Sequence, residues 1–176
     1  GEGLAGFVSK RLNPPTIREL KSMHVTYPLA VTQNSELLDI GTIVYDRPDF
    51  HSERYIYPAG YKVTRLYTDL TNPAERTTWI SEIVDTGKKK PLFRAYQEND
   101  PKISFEGETP SAPWVMILKK ASKIKGDNKK TNTISGPETY LFTNPIIIYL
   151  IQHLPNIEKC TKYVLKKVKG DSDNED

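Results

Sequence analysis

Four side chains that can bind a metal ion or move a proton lie within eight residues of one another. They are Asp46, Asp49, His51 and Glu53. Carboxylates beside an imidazole can hold a divalent cation or carry out acid–base catalysis. Arg47 and Arg54 alternate with these groups, and Pro48 is typical of a turn. The pattern therefore favours ion pairs and turn hydrogen bonds within one loop, with a metal or acid–base site as the alternative.

The sequence lacks the other common signatures of enzymes. The segment from Gly1 to Gly6 matches the Gly-x-Gly-x-x-Gly pattern of dinucleotide-binding proteins, but neither a preceding strand nor a βαβ unit accompanies it. There is no phosphate-binding P-loop, no Gly-x-Ser-x-Gly and no His-Glu-x-x-His. One cysteine, Cys160, and three scattered histidines are too few for a structural zinc site. We therefore expect a non-enzymatic protein with no cofactor and no small-molecule substrate.

Length and composition predict one folded domain. The chain has 176 residues, and its ten Tyr, five Phe and two Trp are too many for a disordered protein. No stretch approaches the ~20 uninterrupted apolar residues of a membrane span, so we expect no membrane contact. The single cysteine cannot form a disulfide within the chain, which fits a reducing, intracellular compartment.

Aromatic residues are concentrated near the middle of the chain. Six of them fall within 23 residues, namely Tyr45, Phe50, Tyr55, Tyr57, Tyr61 and Tyr67. Residues 61–67 alternate as in a strand, so Arg65 shares a face with Tyr61 and Tyr67. We expect its guanidinium to lie between the two phenol rings, as a cation–π arrangement. A tyrosine-rich core is the favoured interpretation, and stacking on nucleic-acid bases is the alternative.

Lysines form several clusters, and these define a candidate basic partner surface. Its members are Lys119, Lys120, Lys123, Lys125, Lys129, Lys130, Lys166 and Lys167. The formal net charge is only +3 because four acids, at positions 171, 173, 175 and 176, offset part of the basic charge. Such lysines are most often solvated, but they can also bind an acidic protein or nucleic acid.

Hydrophobic periodicity predicts strands first and helices later. We expect short strands at 43–45 and 55–57, longer ones at 61–67, 77–84 and 91–98 with a turn at 87–90 between the last two, a further strand at 102–106, and a final one at 160–168. A single helical turn is predicted over 17–23, with ordered structure beginning near Val25. The segment 126–133 is predicted as a loop.

Two helices follow from capping signals. Residues 114–125 carry apolar side chains at helical spacing, with Ser111 as the expected cap and Pro113 in the first turn. Asn144 is an expected N-cap, Pro145 suits the first position, and the apolar run 146–154 ends before Pro155. The order of elements predicts an α+β fold, a single module with a mostly antiparallel β-sheet packed by helices.

The residues also resemble a known family. The runs Gly41–His51 and Tyr55–Tyr67 resemble the FYRN motif, the N-terminal half of the FY-rich domain. The runs Ile134–Pro145, Leu150–Pro155 and Cys160–Tyr163 resemble FYRC, its C-terminal half. The chain has Tyr140-Leu141-Phe142 where the family usually has Phe-Gly.

The resemblance implies a nuclear, chromatin-associated protein in which the two halves interleave. FY-rich domains occur in trithorax-type histone methyltransferases, in JmjC demethylases and in a growth-factor-beta regulator, and have no known catalytic residues. The implied partners are nuclear proteins of a chromatin-regulating complex, with weak DNA or RNA contact as the alternative. The residues that carry the motif are Tyr45, Pro48, Phe50, His51, Tyr57, Pro58, Gly60, Tyr61, Arg65, Tyr67, Gly136, Pro137, Phe142, Pro145, Leu154, Pro155, Cys160 and Tyr163.

These patterns divide the chain into three predicted regions. Residues 1–35 are expected to be a partly flexible lead-in, and 36–169 a single FY-rich domain. Within it, FYRN is expected at about 39–85 and FYRC at about 110–168. Residues 170–176 are expected to form an acidic disordered tail.

Overall fold

A six-stranded antiparallel sheet forms the centre of the protein. The structure is a computed structural model that describes residues 11–126 and 134–171. Each strand pairs with the next one along the chain, so the sheet order follows the sequence. The strands are β1 (Leu29–Ala30), β2 (Glu36–Asp39), β3 (Lys62–Asp69), β4 (Asn72–Val84), β5 (Leu92–Gln97) and β6 (Asp100–Gly107).

Four α-helices and two 3-10 turns accompany the sheet in the described part of the chain. The helices are α1 (Ile17–Ser22), α2 (Ser111–Lys125), α3 (Gly136–Thr139) and α4 (Pro145–Gln152), and the 3-10 turns span Pro48–Phe50 and Ile157–Lys159. The predicted α+β fold with an antiparallel sheet is confirmed. None of the described helices is long and apolar enough to cross a membrane.

One face of the sheet carries the core. Arg65 on β3 lies opposite Trp79 on β4, and the neighbouring pair is Val63 with Ser81. Trp114 of α2 packs on this face, with its ring centroid 5.7 Å from that of Trp79, and its Nε1 donates to Ser81 Oγ at 3.0 Å. Both indoles are fully buried. The alternation predicted for residues 61–67 is confirmed, and it is what places Arg65 under a helix.

The opposite face of the sheet carries a row of alternating charges. Lys62, Glu82, Arg94 and Glu106 occupy neighbouring positions on four successive strands. Arg94 lies 3.1 Å from Glu82 and 3.3 Å from Glu106, and Lys62 lies 3.8 Å from Glu82. Opposite charges at directly paired positions favour this strand register over one shifted by a residue.

Helix ends follow the sequence in one case and depart from it in another. Asn144 caps α4 as predicted, since its Oδ1 accepts from the backbone N–H groups of Ile146 and Ile147. The prediction of Ser111 as the cap of α2 is wrong. Ser111 is already helical, and Pro110 occupies the cap position without a side-chain hydrogen bond. Gly126 closes this helix with φ of 70°.

Ordered structure begins well before Val25, which corrects the prediction for the lead-in. Thr16 and Glu19 form a capping box that starts α1. The apolar side chains of Ile17 and Leu20 are buried in the core. The Leu12 N–H also donates to the carbonyl of Gln33 at 2.9 Å. The single helical turn predicted over 17–23 is confirmed as α1, and its burial is what places the start of ordered structure before Val25.

Three predicted strands are absent from the described sheet. Residues 43–45 and 55–57 are held only by the isolated bridges Thr42–Ala59 and His51–Ile56. Residues 160–168 run as a chain without sheet pairing. In each segment some apolar residues pack into the core from an irregular backbone, namely Ile43, Ile56, Cys160 and Val168, whereas Tyr45, Val164 and Leu165 are exposed.

The remaining strand predictions are confirmed. The hairpin of β4 and β5 and the short β6 lie where the alternation indicated, although β4 begins earlier, at Asn72. The predicted loop at 126–133 beyond Gly126, and the predicted tail beyond Asp171, lie outside the described residues.

The loop before β3 depends on close backbone contact at Gly41. This residue has φ of +78°, and a Cβ there would lie 2.7 Å from the Ala59 carbonyl oxygen and 2.8 Å from the Tyr61 nitrogen. Gly87 has nearly the same φ, +82°, but a Cβ there would meet nothing within 4 Å. Substitution of both glycines therefore distinguishes the energetic cost of the backbone conformation, which both positions share, from the cost of steric overlap, which arises only at Gly41.

We expect Gly41→Ala to lower the free energy of unfolding by about 3 kcal/mol, because it adds backbone strain and overlap. Gly87→Ala should cost only about 1 kcal/mol, because it adds the strain alone. Urea denaturation of both variants measures the difference. Equal losses would show that residues 41 and 59–61 are not packed as described.

Candidate interaction site

Tyr61 and Tyr140 connect the two motif-bearing segments inside the core. Both side chains are fully buried. Tyr61 Oη donates to the Tyr140 carbonyl, and Tyr140 Oη donates to the carbonyls of Glu82 and Arg94 at 3.3 and 3.1 Å. Burial raises the pKa of each phenol well above its ordinary value. These hydroxyls therefore remain protonated donors and serve the fold.

Phe142 is the centre of the surrounding aromatic cluster. Its ring lies 5.2 Å from that of Tyr61, 5.6 Å from Tyr57 and 5.7 Å from Tyr140. Phe93 adds an edge contact to Tyr57 at 5.1 Å. The predicted tyrosine-rich core is thus present, and the Tyr61 and Phe142 rings are enclosed within it.

Leu141 occupies the left-handed region, with φ of 62°. It stands where the FY-rich pattern usually has glycine. The turn is kept, with the Asn144 N–H donating to the Leu141 carbonyl at 3.1 Å. A leucine in this conformation costs about 1–2 kcal/mol of backbone strain, and the partial packing of its side chain against the core offsets some of that cost.

Arg65 packs against an indole and a phenol, and it does not lie between two phenols. Its guanidinium carbon lies 4.5 Å from the ring of Trp114 and 5.5 Å from that of Tyr67. The two rings meet edge to face at 5.6 Å. The predicted sandwich with Tyr61 is therefore wrong, because Trp114 comes from a helix whose contact with β3 no local pattern reveals.

The four candidate metal ligands of the loop at 45–54 do not come together at one site. Asp49 lies 3.8 Å from Lys89, whereas His51 turns into the core and is 4% exposed. In residues 11–126 and 134–171, no three His, Cys, Asp or Glu side chains are grouped to hold a metal ion. The alternative of a metal site has no support from this geometry.

Arg47 ties this loop to the β4–β5 turn. It forms a two-pronged ion pair with Asp85, donates to the Lys88 carbonyl at 2.9 Å and stacks on Phe50 at 4.6 Å. The hydrogen bond from Arg47 holds the pKa of Asp85 below its ordinary value. Arg47 therefore has the structural role that the alternating charges suggested.

The segment after α4 is fastened by Gln152, a residue that sequence analysis did not single out. Gln152 Oε1 accepts from Tyr163 Oη and from the Lys166 N–H, both at 2.7 Å, and its Nε2 donates to the Lys166 carbonyl at 3.0 Å. A lone amide at the end of an apolar helix was the available signal. Burial raises the pKa of Tyr163 to about 12.

The other motif residues shape turns and close contacts. Pro48, Pro137 and Pro145 each begin a helical turn. A Cβ on Gly136 would lie 2.3 Å from the Ser111 nitrogen, so glycine allows α3 to approach α2. Gly60 has φ of +88°. Pro58 and Cys160 are buried, Leu154 is partly buried, and Pro155 follows α4. Tyr45 is 40% exposed, and Lys159 Nζ lies 4.5 Å from the centroid of its ring.

The candidate lysines have different environments. Lys119, Lys120 and Lys123 are exposed on α2. Lys125 Nζ donates to Thr68 Oγ1 at 2.8 Å. Lys166 stacks on Tyr55 at 4.3 Å, and its pKa is lowered by partial burial and by Arg54. Lys167 is exposed, while Lys129 and Lys130 lie outside the described residues.

Exposed apolar side chains accompany the lysines of α2. Met116 and Ile124 are 39% and 40% exposed, and they lie within a turn of Lys119, Lys120 and Lys123 along the same helix. The helix contains no Asp or Glu. This outer face of α2, defined by residues 116, 119, 120, 123 and 124, is therefore mixed basic and apolar in character.

This geometry defines a class of protein: a small α+β module in which two sequence segments share one sheet and one aromatic core. The segments correspond to two family models, "F/Y-rich N-terminus" at residues 26–86 and "F/Y rich C-terminus" at residues 90–170. The chain belongs to the FY-rich domain family.

Similar proteins place this module in chromatin regulators. The chain is 33% identical over 142 residues to Histone-lysine N-methyltransferase trr of Drosophila melanogaster, covering 76% of this chain and 6% of that protein. It is 32% identical over 133 residues to Transforming growth factor beta regulator 1 of Xenopus tropicalis, covering 76% and 32%. It is 31% identical over 137 residues to Histone-lysine N-methyltransferase TRX1 of Oryza sativa subsp. japonica, covering 74% and 13%. The chain thus spans less than a third of each relative's length.

The resemblance implied one module with interleaved halves, and in the structure the two halves form one module in which they occupy consecutive strands of the sheet. Strands β1–β4 lie in the N-terminal match, and β5, β6 and helices α2–α4 lie in the C-terminal match. The antiparallel pairing of β4 with β5 joins them in one sheet. The matches extend beyond the ranges suggested by the motifs.

His51 makes the stability of this module depend on pH. Its Nε2 accepts from the Lys162 N–H at 3.4 Å, while its buried Nδ1 has no hydrogen-bond partner among the described residues. Burial, and secondly the charge of Lys162, lower the pKa of His51 below its ordinary 6.5. A proton is therefore taken up more readily by the unfolded chain than by the folded one.

We expect the free energy of unfolding to be unaffected by His51 above about pH 6.5 and to fall as the pH drops below that value, by at most about 1.4 kcal/mol per pH unit. His51→Gln keeps an acceptor for Lys162 and should flatten this dependence. Urea denaturation between about pH 7.5 and 5 measures the slope. The exposed His24→Gln is the control, and a slope unchanged by His51→Gln would contradict the assignment.

Proposed function

We propose that this module is a non-catalytic protein-interaction domain of a nuclear chromatin or transcription regulator, where it docks a histone-modifying or remodelling complex. Supporting this, the module recurs in proteins named as histone-lysine N-methyltransferases and in one named as a growth-factor-beta regulator. It makes up 6% and 13% of the length of the two methyltransferases. A small part common to proteins of different description is better suited to binding than to a shared reaction.

The use of the motif residues supports the same proposal. The Tyr61, Tyr140 and Phe142 side chains are buried in the core, and the hydroxyls of both tyrosines are hydrogen-bonded to backbone carbonyls. Arg47 is engaged by its ion pair with Asp85. These motif side chains therefore stabilise the fold, and binding to a partner is left to the surface of the module.

The outer face of α2 is the proposed docking surface for an acidic partner. Its lysines are solvent-exposed and carry no acidic neighbour on their own helix. A charged rim with apolar side chains between the charges offers both electrostatic attraction and burial of apolar area.

Affinity purification from nuclear extract, with residues 1–176 as bait, tests the proposal. Mass spectrometry should identify subunits of a histone-modifying or remodelling complex. Replacing Lys119, Lys120 and Lys123 together by Glu should remove those subunits, because the change reverses the charge of the surface. The matched control replaces Lys88, Lys89 and Lys90 of the β4–β5 turn by Glu and should retain them. If the unaltered bait captures no chromatin regulators, the proposed function is wrong.

Nucleic-acid binding through the same lysines is the second candidate, favoured by the absence of acidic residues from α2. A mobility-shift titration with duplex DNA and with RNA, at two salt concentrations, separates the two. Under our proposal no complex forms at low salt. Three lysines on DNA phosphates would give an affinity that falls with a log–log salt slope of about −2.7. A shift with that slope, lost in the α2 variant and kept in the control, would favour the second candidate.

A further inference from the structure

Arg65 is a partly buried cation without an anionic partner. Its guanidinium lies over Trp114 and Tyr67, and its buried Nη1 has no hydrogen-bond acceptor in the described chain. No carboxylate of the described residues forms an ion pair with it. Partial burial lowers its pKa. Ring faces replace only part of the lost hydration of the guanidinium, so an anion held beside it would supply a further partner.

A cleft opens beside this arginine. It has a volume of about 480 Å³ and lies between the β1–β2 turn, β3 and α3. The residues that line it include Thr32, Asn34, Arg65, Leu66, Glu138 and Leu141. Its size is within the range of about 300–1,000 Å³ that ligand-binding clefts occupy.

Arg76 adds a second guanidinium to the wall of the cleft. This exposed side chain donates to the Leu66 carbonyl at 3.3 Å, and its positive charge further lowers the pKa of Arg65. The two cations repel each other, so an anion between them would relieve repulsion as well as gain hydrogen bonds. Glu138 is the acidic residue among those that line the cleft.

The balance of charge selects the kind of anion. Two arginines and one glutamate leave a single net positive charge, which matches one carboxylate. A phosphate group, with a charge of about −1.5 to −2 at neutral pH, would leave a net negative charge in the cleft. The apolar surfaces of Leu66 and Leu141 suit aliphatic side chains next to the acid.

We propose that this cleft binds a Glu or Asp carboxylate in a segment of a partner protein, with Arg65 and Arg76 as the two cationic contacts. This inference rests on the proposed docking function, because it supplies a specific site for an acidic partner. The site is distinct from the outer face of α2, since none of the residues that line the cleft belongs to that helix.

The test is an NMR titration of the full chain that follows the arginine Nε–Hε signals. The probe is the capped peptide Ac-Ala-Ala-Glu-Ala-Ala-amide, and the same peptide with Gln in place of Glu is the comparison. We expect saturable shifts of the Arg65 and Arg76 signals with the Glu peptide, and binding at least about tenfold weaker with the Gln peptide.

Two variants separate the site from the fold. Arg76→Gln should weaken binding of the Glu peptide about tenfold while the spectrum remains that of the folded protein. Arg54→Gln changes the same charge at an exposed position outside the cleft and should bind as the unaltered chain does. Shifts that never saturate, or equal binding of the Glu and Gln peptides, would overturn the proposal. Binding of a phosphoserine peptide about tenfold more tightly than the Glu peptide would overturn the choice of a carboxylate.

Repeating the affinity purification with the Arg76→Gln bait distinguishes failure of this inference from failure of the proposed function. Reduced capture of the same chromatin subunits, with the fold intact, supports the cleft. Undiminished capture together with no peptide binding rejects the cleft and leaves the docking function standing. No capture even by the unaltered bait rejects the docking function, whatever the peptide does.

Discussion

The need to satisfy two buried tyrosine hydroxyls joins the halves of this domain. Tyr61 of the N-terminal half donates to a backbone carbonyl of the C-terminal half, and Tyr140 returns a hydrogen bond to the carbonyl of Glu82. Leaving either hydroxyl unpaired in the core would cost about 1–3 kcal/mol. Neither bond can form until β3, β4 and the turn at 140–142 are in their final places. Because these hydrogen bonds run in both directions, each half of the domain needs the other half in order to fold.

Around this centre, the basic residues take on separate tasks according to their surroundings. Arg47 is held by an ion pair and fixes a loop, and Lys125 reaches back to a hydroxyl on β3. Arg65 is held by rings and keeps hydrogen-bonding capacity in reserve. The α2 lysines extend into solvent and are the ones available to a partner at little cost in stability. The net charge of the chain does not distinguish these roles, because they depend on which groups take the place of the water around each cation.

Local signals in the sequence were sufficient for elements whose cause is local. Alternation identified β3 and the β4–β5 hairpin, and Asn144-Pro145 identified the start of α4. Local signals failed where the structure depends on contacts between residues that are far apart in the sequence. Arg65 finds Trp114 across 49 positions of sequence, and the charged row on the outer sheet face exists only once strand register is set. Residues 160–168 resemble a strand in their apolar content, yet only Cys160 and Val168 are buried while Val164 and Leu165 are exposed, and hydrogen bonds from the Gln152 side chain to the backbone of Lys166 replace a ladder.

The first helix and the end of the described chain meet. Gly170 packs so closely against α1 that a Cβ there would lie 3.4 Å from the Cβ of Ile17. The described chain therefore leaves the domain beside α1. Placed within a longer protein, the domain would form a side loop of the main chain and leave the spacing of its neighbours nearly unchanged. A pull on the two flanking segments would act on this contact and on the hydrogen bond from the Leu12 N–H to the Gln33 carbonyl.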